Sequence, residues 1–156
     1  MIRKIAAATA AWFVSCNVYA LDGVALEVGR GEDRTNIIRI ALLDRWGRLP
    51  GYWEFSGAVW DNRFESTADV GITPVFRFER AAYYFEAAIG VHLVQTRISA
   101  SRTFSTSLQF GDHIGAGVRS GRFDFGLRLQ HISNAGLDHP NPGINFLLAR
   151  LQYSLD

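Results

Sequence analysis

Apolar and polar residues alternate with a period of two along most of the chain. Between residues 123 and 130, for example, the odd positions hold Phe or Leu and the even positions hold Asp, Gly, Arg or Gln. Successive residues of a β-strand face opposite sides, so this pattern predicts strands that have one apolar face and one polar face.

Eight segments of about ten residues carry this alternation, and no helical period interrupts them. Short polar or Gly-containing stretches separate the segments; Gly31 to Asp33 is predicted to be a turn, and Gln95 to Thr106 a long polar loop. The predicted strands are Gly23 to Arg30, Thr35 to Trp46, Gly51 to Trp60, Asp69 to Glu79, Tyr83 to Val94, Leu108 to Val118, Phe123 to Ser133 and Asn145 to Tyr153.

Strands of this length and patterning are typical of an all-β fold, an eight-stranded antiparallel transmembrane β-barrel. A closed barrel leaves no unpaired backbone edge in lipid, and at this strand number side chains fill the interior, so no pore is expected. A soluble lipocalin-like barrel, with its apolar face inside, is the alternative. The aromatic-rich apolar face and the charged opposite face favour the membrane version.

In the membrane version, the inward face carries charges of both signs. Buried charges need partners, so we expect them to pair as a structural network and not to form a catalytic centre. The predicted inward residues are Glu27, Arg39, Glu54, Arg77, Glu86, His92, His113, Arg128 and Arg150.

The first 20 residues have the pattern of a cleaved secretory signal peptide: a positive start, a short apolar stretch and a small-residue cleavage site ending at Ala20. Cleavage there would remove Cys16, the only cysteine of the sequence. A lipoprotein signal acylated at Cys16 is the less favoured alternative. Residues 21–156 are then predicted to form a single barrel domain.

Charge and histidine spacing exclude several classes of function. Without Arg3 and Lys4, 14 of the 16 basic residues remain against 15 acidic ones, and this near-neutral balance argues against nucleic acid as a partner. The four histidines are scattered without the spacing of metal ligands, so no metal and no cofactor is expected.

The candidate chemistry lies between the last two predicted strands. If these strands form a hairpin around the Gly- and Pro-containing loop, His131, Ser133 and Asn145 come close together at one end of an apolar wall. A serine becomes a good nucleophile when a neighbouring base takes its proton, and His131 is such a base. The alternative is that these are simply polar residues at the membrane interface.

The run HISNAG that begins at His131, continuing through Asn141 and Gly143, resembles the PagL family of outer-membrane lipid A 3-O-deacylases. The resemblance extends more loosely to the signal, the length and the eight-strand layout. It implies a carboxylic ester hydrolase that removes the acyl chain at the 3-position of lipid A. The expected location is the bacterial outer membrane, with the site facing the outer leaflet and its lipopolysaccharide.

The same resemblance implies roles for individual residues. His131 is expected to be the general base and Ser133 the nucleophile. Asn134 and Gly136 are expected to contribute to the oxyanion hole, where donors stabilise the charge that develops on the ester oxygen.

One position departs from the family pattern. Asn145 stands where the resemblance implies a glutamate that orients the histidine; its amide oxygen can accept the imidazole N–H but carries no charge. Asp112 is a possible substitute acid, preferred over Asp138 in the loop. Asp112 is predicted either to lie outward beside Leu129 or His131, or to mark a bulge and face inward. We expect His139 to be a surface residue.

Two other functions remain open from the sequence. A non-catalytic small barrel that binds lipopolysaccharide would explain the missing glutamate. An acyltransferase of similar size would need an acyl pocket inside the barrel, and the charged inward face argues against it. The sequence leaves open whether the barrel forms a homodimer.

Overall fold

The computed structural model describes residues 21–62, 65–95, 97–99 and 102–155, and the predicted signal peptide with Cys16 lies outside them. The described residues form ten strands and one short 3-10 helix, Glu32–Arg34. The strands are β1 (Gly23–Gly31), β2 (Asn36–Arg45), β3 (Gly51–Asp61), β4 (Ser66–Arg80), β5 (Tyr83–Val94), β6 (Arg97–Ser99), β7 (Arg102–Thr103), β8 (Leu108–Ser120), β9 (Phe123–Ser133) and β10 (Ile144–Ser154).

Eight of these strands close into a barrel in the order β1-β10-β9-β8-β5-β4-β3-β2. Every neighbouring pair is antiparallel, including the closing pair, in which Gly23 lies opposite Ser154 and Gly31 lies opposite Phe146. This arrangement confirms the predicted eight-stranded antiparallel barrel. No helix in the described part of the chain is long and apolar enough to cross a membrane.

Two local predictions differ from the structure. β4 begins at Ser66, three residues before the predicted start at Asp69, because its first residues continue the ladder with β3. The predicted polar loop from Gln95 to Thr106 contains the small hairpin of β6 and β7.

The two ends of the barrel differ. One end, here called the turn end, carries the start of β1, the end of β10 and the connections that follow β2, β4 and β8. The other, the loop end, carries the connections that follow β1, β3, β5 and β9. Aromatic side chains contact one another near the turn end, where Trp46 packs edge-on against Trp53 and Phe76. Such belts are typical of a membrane interface.

All nine charged residues predicted to face inward are buried, so the predicted phase of the strands is confirmed. The arginines and glutamates among them pair with buried groups of opposite charge, as expected. Glu27 is the shared acceptor, receiving hydrogen bonds from Arg39 at 3.1 Å, Arg128 at 2.7 Å and Arg150 at 2.6 Å. Arg128 also bonds Glu54 at 2.9 Å.

An apolar cluster fills the interior at the loop end. Trp60 and Phe146 contact edge to face, with ring centroids 5.0 Å apart. Phe104, from the connection after β7, is buried in the same cluster, although its segment was predicted to be a polar loop. Ile132 and Ile144 are fully buried there as well. The packed side chains of this cluster close the interior of the barrel at the loop end.

The outer surface is apolar along the strands. Leu127, Leu129, Phe125, Ile114 and Leu147 are exposed on β8, β9 and β10, and similar residues continue around the barrel. Exposed apolar side chains opposite a charged interior are the reverse of a soluble barrel. This arrangement is that of a membrane-spanning barrel.

Replacing Glu27 with Gln keeps the size of the side chain but removes the charge that Arg39, Arg128 and Arg150 share. Losing one partner of a buried ion pair costs about 3 to 5 kcal/mol, so we expect the free energy of unfolding to fall by about 3 kcal/mol. Urea unfolding in detergent micelles, followed by tryptophan fluorescence, measures the change. The exposed Glu65→Gln is the control, and equal midpoints for the two variants would contradict the role of the network.

Candidate active site

Three polar side chains lie side by side on the outer surface at the loop end. The register pairs His131 of β9 with Asn145 of β10 on one side and with Asp112 of β8 on the other. Their chain neighbours Ile132 and Ile144 are anchored in the interior cluster. Because successive strand residues face opposite sides, this anchoring directs His131 and Asn145 outward.

A hydrogen bond joins His131 to Asn145. Nδ1 of the imidazole lies 2.8 Å from Oδ1 of the asparagine. An amide oxygen can only accept, so Nδ1 carries the proton and donates it. Nε2 of this neutral tautomer is then the unprotonated nitrogen, the form that a general base requires.

Asn145 has a second partner on its other side. Its Nδ2 donates to Oε1 of Glu32 at 3.0 Å. Glu32 begins the 3-10 helix after β1, next to Gly31, which is the last residue of β1 paired with β10. The amide of Asn145 therefore bridges an imidazole and a carboxylate.

Ser133 lies on the same face of β9 as His131. The two residues are separated by one position, so their Cα atoms are about 7 Å apart and their side chains share one side of the strand. Gly143 leaves room for the imidazole on the loop side, because a Cβ at this position would lie 2.9 Å from His131 Cε1. Its φ of +56° also favours glycine.

The loop after Ser133 is held together by Asn134, which is fully buried. The Nδ2 group of Asn134 donates to Ser105 Oγ at 3.1 Å and to the Asp138 carbonyl at 2.7 Å. Its Oδ1 accepts from the Gly136 N–H at 2.9 Å, and its own N–H donates to Asn141 Oδ1 at 3.1 Å. One buried amide thus organises most of the turn.

A family model described as Lipid A 3-O-deacylase (PagL) matches residues 38–154, from β2 to the end of β10. The chain belongs to the PagL family. The match includes His131, Ser133 and the loop between β9 and β10.

Two relatives with the name Lipid A deacylase PagL are similar to the chain. The one from Pseudomonas aeruginosa is 36% identical over 105 residues, covering 63% of this chain and 61% of the relative. The one from Bordetella bronchiseptica is 34% identical over 126 residues, covering 69% and 64%. The chain therefore spans about three fifths of the length of these curated relatives.

Solved structures agree with the architecture. The outer membrane enzyme PagL superposes with a TM-score of 0.75 at 28% identity, over 84% of this chain and 98% of that chain. Neisserial surface protein A superposes with a TM-score of 0.59 at 11% identity, over 84% of this chain and 94% of that one. The second likeness concerns the fold alone. Together with the apolar outer surface, the family places the barrel in the outer membrane.

The structure distinguishes among the carboxylates that the sequence offered. Asp112 is exposed beside His131, so the alternative in which it marks an inward bulge is wrong. It has no hydrogen bond to His131, whose Nδ1 bonds Asn145 instead. Asp138 lies in the loop, where its Oδ1 accepts from the N–H of His139, and His139 is exposed as expected.

The oxyanion-hole roles of Asn134 and Gly136 stay predictions. The N–H groups of both residues donate to acceptors inside the loop, namely Oδ1 of Asn141 and of Asn134. For both N–H groups to donate to an ester oxygen, that oxygen would have to replace these two acceptors. No group of three or more His, Cys, Asp or Glu side chains in the described part of the chain is arranged to hold a metal ion.

Glu32 is a residue of the site that the sequence pattern does not predict, since Gly31 to Asp33 is predicted only to be a turn. The contact joins residues 113 positions apart in the chain, so no local pattern reveals it. The register between β1 and β10 explains the contact. Gly31 lies opposite Phe146, and one further step along both strands places Glu32 beside Asn145.

Asn134→Ala removes three side-chain hydrogen bonds from a buried position, each worth about 1 kcal/mol. We expect the loop to open locally while the barrel unfolds at nearly the same urea concentration as the wild type, because the strand ladder is intact. Amide hydrogen exchange of a peptide containing Gly136 should become faster. Ser105→Ala removes one of these bonds and should give a smaller effect; an equal effect would contradict the central role of Asn134.

Proposed function

We propose that this protein is an esterase of the outer membrane that hydrolyses the acyl ester at the 3-position of lipid A. The observation that carries the proposal is the hydrogen bond from His131 Nδ1 to Asn145 Oδ1, which leaves Nε2 available as a base on the same strand face as Ser133. The relatives named lipid A deacylase supply the substrate class.

The proposed reaction has two steps. Ser133 Oγ attacks the ester carbonyl carbon while His131 Nε2 takes the hydroxyl proton, and the resulting imidazolium protonates the departing sugar oxygen. This leaves a 3-hydroxyacyl group on Ser133. Water loses a proton to His131 Nε2 as its oxygen attacks that ester. Ser133 Oγ then leaves and takes the proton back from the imidazolium, which releases the free 3-hydroxy fatty acid and restores both residues. Asn134 and Gly136 would donate to the oxyanion in both steps.

The surroundings of the site suit a substrate anchored in a bilayer. One step towards the barrel middle, the outward residues are Ile114, Leu129 and Leu147, which lie opposite one another on neighbouring strands. Acyl chains could lie against this apolar wall while the sugar ester stays at the row formed by Asp112, His131 and Asn145, here called the polar row. We infer that the loop end faces the outer leaflet and that the turn end faces the periplasm.

A non-catalytic barrel that binds lipopolysaccharide is the second candidate. The observation that favours it is Asn145 at the family's glutamate position, since an amide cannot offset the charge of an imidazolium. Hydrolysis requires Ser133, whereas binding does not, so one substitution separates the two functions.

Ser133→Ala removes the nucleophile and should lower the release of 3-hydroxy fatty acid by at least about a thousandfold. Mass spectrometry of fatty acid released from purified lipopolysaccharide by the refolded protein measures it. Ser120→Ala, at the opposite end of the barrel, should match the wild type. Lipopolysaccharide binding without release by the folded wild type, across several lipid A structures, would favour the non-catalytic barrel.

Comparing Asn145→Ala with Asp112→Asn identifies the group that orients His131. We expect Asn145→Ala to lower kcat by about a hundredfold, because the imidazole loses the acceptor that fixes its tautomer. Asp112→Asn should stay within about threefold of the wild type, since Asp112 makes no hydrogen bond to the ring. The reverse ranking of kcat values would assign the orienting role to Asp112.

A further inference from the structure

A carboxylate from the first connection of the barrel contacts the site through Asn145. We propose that Glu32 is a positioning residue: it fixes the direction of the Asn145 amide and thereby the tautomer of His131. The inference rests on the proposed esterase function. It adds a carboxylate to the site, which position 145 does not supply because it is an asparagine in this chain. It concerns a contact between two distant parts of the chain.

Backbone geometry places Glu32 at this point. Gly31 N–H donates to the Thr35 carbonyl at 2.7 Å, and Thr35 N–H donates back to the Glu32 carbonyl at 3.1 Å. Thr35 is almost fully buried, so it anchors the far side of the tight turn. The position of Glu32 is therefore set by the end of β1 and by a short turn that two backbone hydrogen bonds close.

Gly31 allows the turn to approach β10 closely. A Cβ at this position would lie 2.6 Å from Cδ1 of Phe146 and 2.8 Å from the carbonyl oxygen of Asn145. Distances this short exclude a larger residue unless the strand moves. The absence of a side chain at Gly31 thus brings Glu32 within reach of the Asn145 amide.

The chemistry follows from the shape of an amide. The oxygen and nitrogen ends of Asn145 are nearly the same size, so their hydrogen-bond partners decide which end faces His131. A carboxylate only accepts, and Glu32 therefore attracts Nδ2 and leaves Oδ1 facing the imidazole. In this orientation Nδ1 keeps its proton and Nε2 stays unprotonated.

The opposite orientation would remove the base. If Nδ2 faced the imidazole, Nδ1 would have to accept, and the proton would lie on Nε2, the nitrogen that must receive the proton of Ser133. In serine proteases, replacing the orienting aspartate with asparagine produces this wrong tautomer and lowers kcat about ten-thousandfold. An asparagine at position 145 is thus compatible with catalysis when its orientation is enforced, and Glu32 enforces it.

The experiment compares Glu32→Gln in two backgrounds. In the wild-type background, glutamine can donate as well as accept, so both amide orientations become available; we expect kcat to fall at least about tenfold with KM nearly unchanged. In the Asn145→Glu background, the introduced carboxylate accepts from His131 whichever way it turns. There, Glu32→Gln should leave kcat within about twofold or raise it by relieving charge repulsion.

Asp33→Asn is the matched control. Asp33 belongs to the same turn, and the substitution removes the same charge; its φ of +54° suits asparagine. We expect its kcat to match that of the wild type. An equal loss of kcat in Asp33→Asn and Glu32→Gln would overturn the proposal in favour of a general effect of loop charge.

A second readout does not depend on catalysis. The imidazole ¹⁵N shifts of His131, assigned by comparison with His131→Gln, report the tautomer directly. The wild type should have the proton on Nδ1, and Glu32→Gln should add a population with the proton on Nε2. An unchanged tautomer with unchanged kcat in an active enzyme overturns the role of Glu32. A wild type that is folded, has the expected tautomer and releases no fatty acid overturns the esterase instead, while the tautomer comparison still tests Glu32.

Discussion

The ladder between β9 and β10 is the constraint on which the rest of the site depends. It places His131 opposite Asn145, and a slip of either strand by one residue would turn the side chain that this strand contributes into the interior. Such a slip is unfavourable because it would place a polar side chain at the fully buried position of Ile132 or Ile144, where it would lose its contact with water. The same apolar packing that closes the loop end therefore also aims the polar groups outward.

The interior supports this register in two different ways. At mid-barrel, Glu27 is surrounded by Arg39, Arg128 and Arg150, and removing its charge would leave each of the three with one buried counter-charge fewer. Nearer the site, aromatic and aliphatic packing replaces charge pairing. The residues of the site thus stand on strands that are held from inside, which gives more exact placement than a loop would. Ser133, at the end of its strand, borders the loop that Asn134 organises.

How much could be read from the sequence depends on the range of each interaction. Alternation has a period of two, so it was enough to predict the eight barrel strands and the burial of residues such as Arg128. It was also enough to place Asp112 beside His131 as one of two alternatives. Phe104 was missed because scattered apolar residues in a polar stretch carry no period. Glu32 was missed because its partner belongs to the other end of the chain.

The packed interior determines by which route a lipid ester can reach the site. In the part of the chain that the structure describes, charged side chains fill the middle of the barrel and Trp60 and Phe146 close the loop end, which leaves no route for a lipid through the lumen. The proposed lipid ester would therefore have to arrive sideways, by diffusing in the plane of the leaflet until its headgroup passes the polar row. The relevant concentration is then a mole fraction in the membrane and not a molarity in water. Turnover should respond to lipid packing and to dilution by other lipids at constant bulk concentration.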